Sequence, residues 1–245
     1  MNSHIYIAFL LSLFLLPITA QSQKKAKKLY VYELDNTEGS TPIKTLEAYY
    51  EYNGLGKETV GKFYRNNEVT LMYTKKYKND SILIVEHKDS KTTKYSYDEL
   101  NRLKKKTTTS DGEITFTAEY WYDEADNLIK EKRSNGLAAY NSYDIHNNLI
   151  STINTLNGRE FFTIYYKYNA FNQKVSFTKS NETGWNNYYI YDRHGNKVEF
   201  LRFNQIGELS QKITYEYDTF NRVIKEHNYD ESTNEVSFTQ IYVYE

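Results

Sequence analysis

The chain contains no cysteine, which excludes a disulfide framework, a thiol nucleophile, thiolate metal ligands and an acylated N-terminal cysteine. Only two prolines and ten glycines occur among its 245 residues. No low-complexity linker interrupts them, so one repeat domain is expected over residues 49–245, extending to the last residue. Charge of a single sign is lacking as well. Lys and Arg number 31 against 32 Asp and Glu, a net charge of −1, which argues against nucleic acid as a partner. The one long apolar run, Ile5 to Leu16, is too short for the ~20 residues that span a bilayer. Followed by Pro17-Ile18-Thr19-Ala20, it reads as a signal peptide over residues 1–20, although its lysines stand behind the run instead of in front. A secreted or periplasmic protein with no stable membrane anchor after cleavage is therefore expected. Residues 21–48 then hold a basic stretch, Lys24 to Lys28, and a first strand around Leu29 to Leu34.

Against these absences stand 26 tyrosines, 12 phenylalanines and two tryptophans, and the tyrosines are not scattered. Tyr95-Ser96-Tyr97-Asp98-Glu99-Leu100-Asn101-Arg102-Leu103 states a grammar that returns around Tyr52, Tyr122, Tyr143, Tyr168, Tyr191 and Tyr217, with a degenerate copy at Tyr77 and a truncated one at Tyr242-Val243-Tyr244. In Phe116 to Tyr122 apolar residues recur with the period of two of a half-buried strand. The Asp or Asn after the second tyrosine is placed to accept a backbone N–H two residues on and so to begin a reversal. Three residues beyond it stand Gly56, Asn101, Asp126, Asn147, Asn172, Gly195 and Asn221. These are the residue types that best tolerate a left-handed backbone. A type I turn closed by a left-handed residue, with a return strand such as Leu128 to Lys132, is the expected unit.

Looser reversals at Asp111-Gly112, Asn135-Gly136, Asn157-Gly158, Asn181 to Gly184, Asn204 to Gly207 and Asp230 to Asn234 end the return strands. The fold class is all-β: consecutive antiparallel hairpins in a meander of about 16 strands, forming one long twisted or curled sheet. Tyr50, Tyr95, Tyr120, Tyr166, Tyr189 and Tyr215, two residues before each anchor, should tile one face with a ladder of rings. Trp121, Phe161, Tyr165 and Tyr188 have the opposite parity. They fall on the face expected to be polar, where exposed rings beside Asn, Thr and Lys are what a glycan-binding surface uses.

The runs Tyr95 to Leu103 and Tyr215-Glu216-Tyr217-Asp218-Thr219-Phe220-Asn221-Arg222-Val223 resemble the YD repeats of the RHS family, whose signature is Tyr-Asp-x-x-Gly-Arg-Leu, over residues 49–245. Tyrosine-rich MORN-type repeats are a second resemblance. The RHS likeness implies a spiralling antiparallel sheet in an exported or surface-exposed protein that engages cell surfaces or glycans. Here Asn or Asp mostly replaces the Gly, Arg persists at Arg102 and Arg222, and the chain is too short for an encapsulating shell.

No Gly-x-Ser-x-Gly, His-Glu-x-x-His or phosphate loop occurs, His146 and His194 occupy variable turn positions, and the acids of Asp123 to Asn127 are too few for a calcium site. A non-catalytic binding or scaffold module at the cell envelope is expected, without cofactor or metal, engaging a glycan or an envelope protein. The alternatives are an immunity or accessory partner in an RHS-type toxin system, and a secreted hydrolase whose acids converge only in space.

Overall fold

The computed structural model describes residues 27–35, 43–78, 81–180 and 184–245. The expected signal peptide and Lys24 and Lys25 lie outside them. Eighteen strands follow: β1 (Lys28–Asp35), β2 (Ile43–Tyr52), β3 (Glu58–Arg65), β4 (Glu68–Lys78), β5 (Ser81–His87), β6 (Lys91–Tyr97), β7 (Leu103–Ser110), β8 (Glu113–Tyr122) and β9 (Leu128–Arg133) make the first half. The second half is β10 (Leu137–Tyr143), β11 (Leu149–Leu156), β12 (Arg159–Tyr168), β13 (Lys174–Ser180), β14 (Asn186–Tyr191), β15 (Lys197–Phe203), β16 (Leu209–Tyr217), β17 (Val223–Tyr229) and β18 (Val236–Tyr244). Each pairs antiparallel with its neighbours in chain order, as the hairpin grammar requires.

The expected open or curled sheet is corrected at one seam. β1 pairs with β2 and also with β18, from Leu29 opposite Tyr244 to Asp35 opposite Phe238, and the sheet closes into an 18-stranded barrel. The truncated repeat at Tyr242 to Tyr244 explains how. β1 pairs with it where a return strand pairs in the other repeats. Where the other repeats have a turn, Lys28 N–H donates to Glu245 O at 2.9 Å and Glu245 N–H to Lys28 O at 3.0 Å. Closure removes the two unpaired edges that a long sheet would expose. Leu29, Val31, Ala48 and Tyr242 form the most buried apolar cluster, and it sits on this seam.

The turn at each Asp or Asn is built alike. Asp98 Oδ1 accepts the N–H of Leu100 at 3.0 Å and of Arg102 at 2.8 Å, and Asp123, Asp144, Asn169, Asp192 and Asp218 accept the same two N–H groups. The Arg102 N–H, first among these influences, holds the Asp98 carboxyl below the usual carboxylate range. The left-handed positions carry φ of 62° at Asn101, 61° at Asn147, 57° at Asn172 and 58° at Asn221. We expect Asn221→Val to cost about 1 kcal/mol or more beyond Asn221→Gly, because a branched side chain is strained at that φ. Urea titration of the two variants measures the difference, and equal midpoints would show that φ does not set the cost.

Asparagine has a second use there. The residue ending one turn donates to the left-handed residue of the next, as Asn127 Nδ2 does to Asn147 Oδ1 at 3.0 Å, Asn148 Nδ2 to Asn172 Oδ1 at 3.1 Å and Arg102 to Asp126 Oδ1 at 2.7 Å. Glycine has no such acceptor, and at Gly195 the backbone carbonyl takes the bond from Gln173 instead, at 3.4 Å. The acids of the Asp123 turn are committed in the same way, since Asn127 also bonds Asp123 Oδ2 at 3.1 Å.

The anchor tyrosines answer a different need. Neighbouring hairpins part before reaching this end of the barrel: β7 and β8, for instance, pair no further than Lys105 opposite Glu119. A strand carbonyl beyond that point has lost its ladder partner. The hydroxyls of Tyr97, Tyr122, Tyr143, Tyr168, Tyr191, Tyr217 and Tyr244 donate to the carbonyls of Ile82, Leu103, Leu128, Leu149, Lys174, Lys197 and Val223 at 2.7 to 3.0 Å. Phenylalanine would fill the space without the bond, which is why the repeat is written in tyrosine.

Candidate functional site

The anchor and ladder tyrosines share the concave face. Tyr215 lies within electrostatic reach of Tyr189 two strands away, Tyr242 of Tyr215, and Tyr143 of both Tyr122 and Tyr166, as side chains converging toward a barrel axis do. The ring ladder is continuous in two sectors. Tyr166, Phe177, Tyr189 and Phe200 follow at centroid spacings of 6.1, 5.9 and 5.5 Å, and Tyr50, Phe63, Tyr73 and His87 at 5.8, 6.3 and 6.1 Å. Between them the ladder is interrupted, because Tyr95 faces Lys106 and Tyr120 faces Glu131.

Eighteen strands at about 4.8 Å spacing measure about 86 Å across the strands, a circle about 27 Å wide for upright strands and wider with tilt. Among the described residues no strand comes within 8 Å, Cα to Cα, of any but its two sheet neighbours. Stacked sheets pack about 10 Å apart, but Tyr95, Tyr120, Tyr166, Tyr189 and Tyr215 on the concave face stay partly exposed, so the opposite walls do not pack on them and face each other across a lumen.

The four aromatic residues singled out from parity are exposed: Trp121 38%, Phe161 57%, Tyr165 53% and Tyr188 45%. They do not gather in one pocket. Trp121, Tyr165 and Tyr188 lie on the convex face, but Trp121 on β8 is four strands from Tyr165 on β12, about 19 Å, whereas Tyr188 on β14 is two strands from Tyr165, about 10 Å. Phe161 is the extra residue of a bulge, since Asn154 faces Phe162 and Thr155 faces Glu160, and its ring packs on Phe162 at 5.4 Å.

Three neighbours went unread in the sequence. Lys130 Nζ sits between the Trp121 ring at 4.7 Å and the Tyr140 ring at 5.5 Å, and Phe203 meets Tyr188 edge-on at 5.7 Å. Tyr140 has the right parity within its own strand, and counting along β10 would have found it. Around these rings stand Ser151 and Thr178, opposite Tyr165, and Ser176, opposite Tyr188. Asn186, Tyr188, Phe203 and Gly207 line a shallow dish on this face.

The fold has a counterpart among solved structures. A porin-like protein from Bacteroides uniformis ATCC 8492 is similar at 14% identity and a TM-score of 0.52, with 90% of this chain and 98% of that one covered. Parts of TcdB2-TccC3 align at 12% identity, over 80% of this chain and 12% of that one, with a TM-score of 0.43. The Tc holotoxin pore of Photorhabdus luminescens aligns at 12% identity, over 76% of this chain and 14% of that one, with a TM-score of 0.34. No family model and no curated protein sequence matches. The porin-like match shows a shared fold and nothing further, and the two lower scores fall short of a shared fold.

The convex face of the described residues is not a continuous apolar band. On the convex face Lys76 pairs with Glu86 at 2.6 Å, Lys105 with Glu119 at 3.4 Å, Lys225 with Glu216 at 3.1 Å and Lys212 with Glu199 at 4.0 Å. These charges sit within strands and not only at their ends.

One arrangement has the outline of a nucleophile, base and orienting acid: His227 Nδ1 is 3.0 Å from Thr239 Oγ1 and Nε2 is 2.7 Å from Glu216. Thr239 is only 4% exposed in mid-strand, so no substrate reaches its hydroxyl. Among the described residues no three of His, Asp and Glu gather as a metal set.

Proposed function

We propose that the chain is an exported, non-catalytic barrel module that stands in water at the cell envelope and binds carbohydrate through its convex aromatic band. The observation that carries this reading is the exposure of Trp121, Tyr140, Tyr165 and Tyr188 on one face beside Lys130, Ser151, Ser176 and Thr178. A sugar's C–H face stacks on such rings while its hydroxyls meet the polar neighbours. Ion pairs within the strands support an aqueous setting, since a lysine on the lipid face of a barrel costs about 2–4 kcal/mol at mid-bilayer.

The test is binding of envelope polysaccharide to the mature protein and to Trp121→Ala and Tyr165→Ala. We expect at least a tenfold loss of affinity with melting temperatures within two or three degrees of the parent. Unchanged binding, with both variants several degrees less stable, would make these rings structural and end the proposal.

A further inference from the structure

The concave wall from β12 to β15 concentrates cations over aromatic rings. Lys174 Nζ lies 5.4 Å from the Tyr166 and Phe177 centroids and 5.6 Å from Tyr189. Lys197 Nζ lies 4.1 Å from Tyr215 and 5.6 Å from Tyr189. Lys179 Nζ is 4.5 Å from Phe162, and the Arg202 guanidinium is 5.2 Å from Trp185 and 5.5 Å from Phe200. Some cations elsewhere on this face have acids, since Lys75 pairs with Glu58 at 2.7 Å and Arg133 with Glu131 at 2.6 Å, while Lys106 lies singly over the Phe116 ring at 5.7 Å. Among the described residues no carboxylate forms an ion pair with Lys174, Lys179 or Lys197. The nearest acid in charge is Glu226 on β17, within electrostatic reach of Lys197 and hydrogen-bonded with Tyr242.

We propose that this wall is a binding site, inside the barrel, for an acidic oligosaccharide of the uronate class. Lys174 and Lys197, two strands apart, stand about 10 Å from each other at one end, and Lys179 lies about 16 Å further along β13. Phe177, Tyr189 and Phe200 form the floor between them. That layout offers rings for the C–H faces of successive sugars and an ammonium at the edges for their carboxylates. Burial is the leading cause that lowers the Lys174 and Lys197 ammonium pKa values. A desolvated cation with no carboxylate in ion-pair contact is held at a cost that an arriving carboxylate lowers. The site differs from the convex band in place, in charge and in ligand.

The two tryptophans of the chain allow the two faces to be read separately, because Trp121 is outside and Trp185 is inside. In Trp121→Phe, titration with hexagalacturonate should change Trp185 fluorescence, and maltohexaose, a neutral control of the same length, should change it only at concentrations at least tenfold higher. Adding Lys174→Gln and Lys197→Gln should weaken hexagalacturonate binding at least tenfold, whereas Tyr165→Ala should leave it unaltered. If the double lysine variant fails to fold by circular dichroism, Lys179→Gln replaces it, with an expected weakening of at least threefold. The proposal is overturned if the neutral and acidic hexamers bind alike, if the folded lysine variant keeps full affinity, or if hexathymidylate binds as tightly as the hexauronate.

Discussion

Gly61→Ala should destabilise the barrel by about 2 kcal/mol, although alanine is ordinarily a better strand residue than glycine. The Tyr73 ring lies across the glycine, so that an added Cβ would stand 2.4 Å from Tyr73 Cζ and 2.8 Å from Cε1. The ring cannot swing away cheaply. Its hydroxyl donates to Glu58 Oε1 at 2.7 Å, and it packs between Phe63 and His87. Overpacking of this kind costs about 1–3 kcal/mol. Urea denaturation of Gly61→Ala, Tyr73→Ala and the double variant checks the cause: alanine at 61 should cost much less once the ring is gone. Additive losses would mean that the contact between them does not set the penalty.

Asn187→Leu is the second change expected to be large. Asn187 is 0% exposed. Its Oδ1 accepts the Arg202 Nε–H at 2.9 Å, and its Nδ2 donates to the Phe177 carbonyl at 3.5 Å. Leucine keeps the branched outline, adds bulk, and removes an acceptor from a guanidinium whose burial leads its shift to lower pKa. Hydrogen bonds to charged groups are worth about 1.5–3 kcal/mol, and about 2 kcal/mol of stability should be lost. Asn187→Asp keeps the acceptor and should lose less. Thermal unfolding of both variants decides, and a leucine variant as stable as the parent would show that Arg202 does not depend on this bond.

Much of the architecture was legible because the hairpin is a local object. An Asx acceptor, a residue tolerant of the left-handed region three positions on, and alternation on either side lie within about ten residues of one another, and the backbone obeys them whatever the rest of the chain does. The left-handed backbone at Asn101, Asn147, Asn172 and Asn221 and the use of β1 as a strand were accordingly readable from residue types.

Face assignment held within each strand and stopped at its turns for a physical reason. Each hairpin carries a register shift just before its anchor tyrosine, as between Trp121 and Tyr122 or Lys167 and Tyr168. One extra residue inverts the parity counted across the turn. Parity therefore held within a strand, where it placed Trp121, Tyr165 and Tyr188 on one face. It did not carry into the next, where Lys130 and Phe203 went unread, and a further bulge displaced Phe161.

The repeat unit, its turn chemistry and its tyrosines belong to the order of residues, because each depends on contacts between near neighbours in the chain. Closure does not. Whether Leu29 meets Tyr244 depends on twist accumulated over eighteen strands, a quantity that no single repeat contains. The same holds for the lumen that closure creates, and for the gathering of Lys174, Lys179, Lys197 and Arg202 over rings from several strands. Their distances along the chain are uninformative, and only the curvature of the finished barrel turns them toward one space.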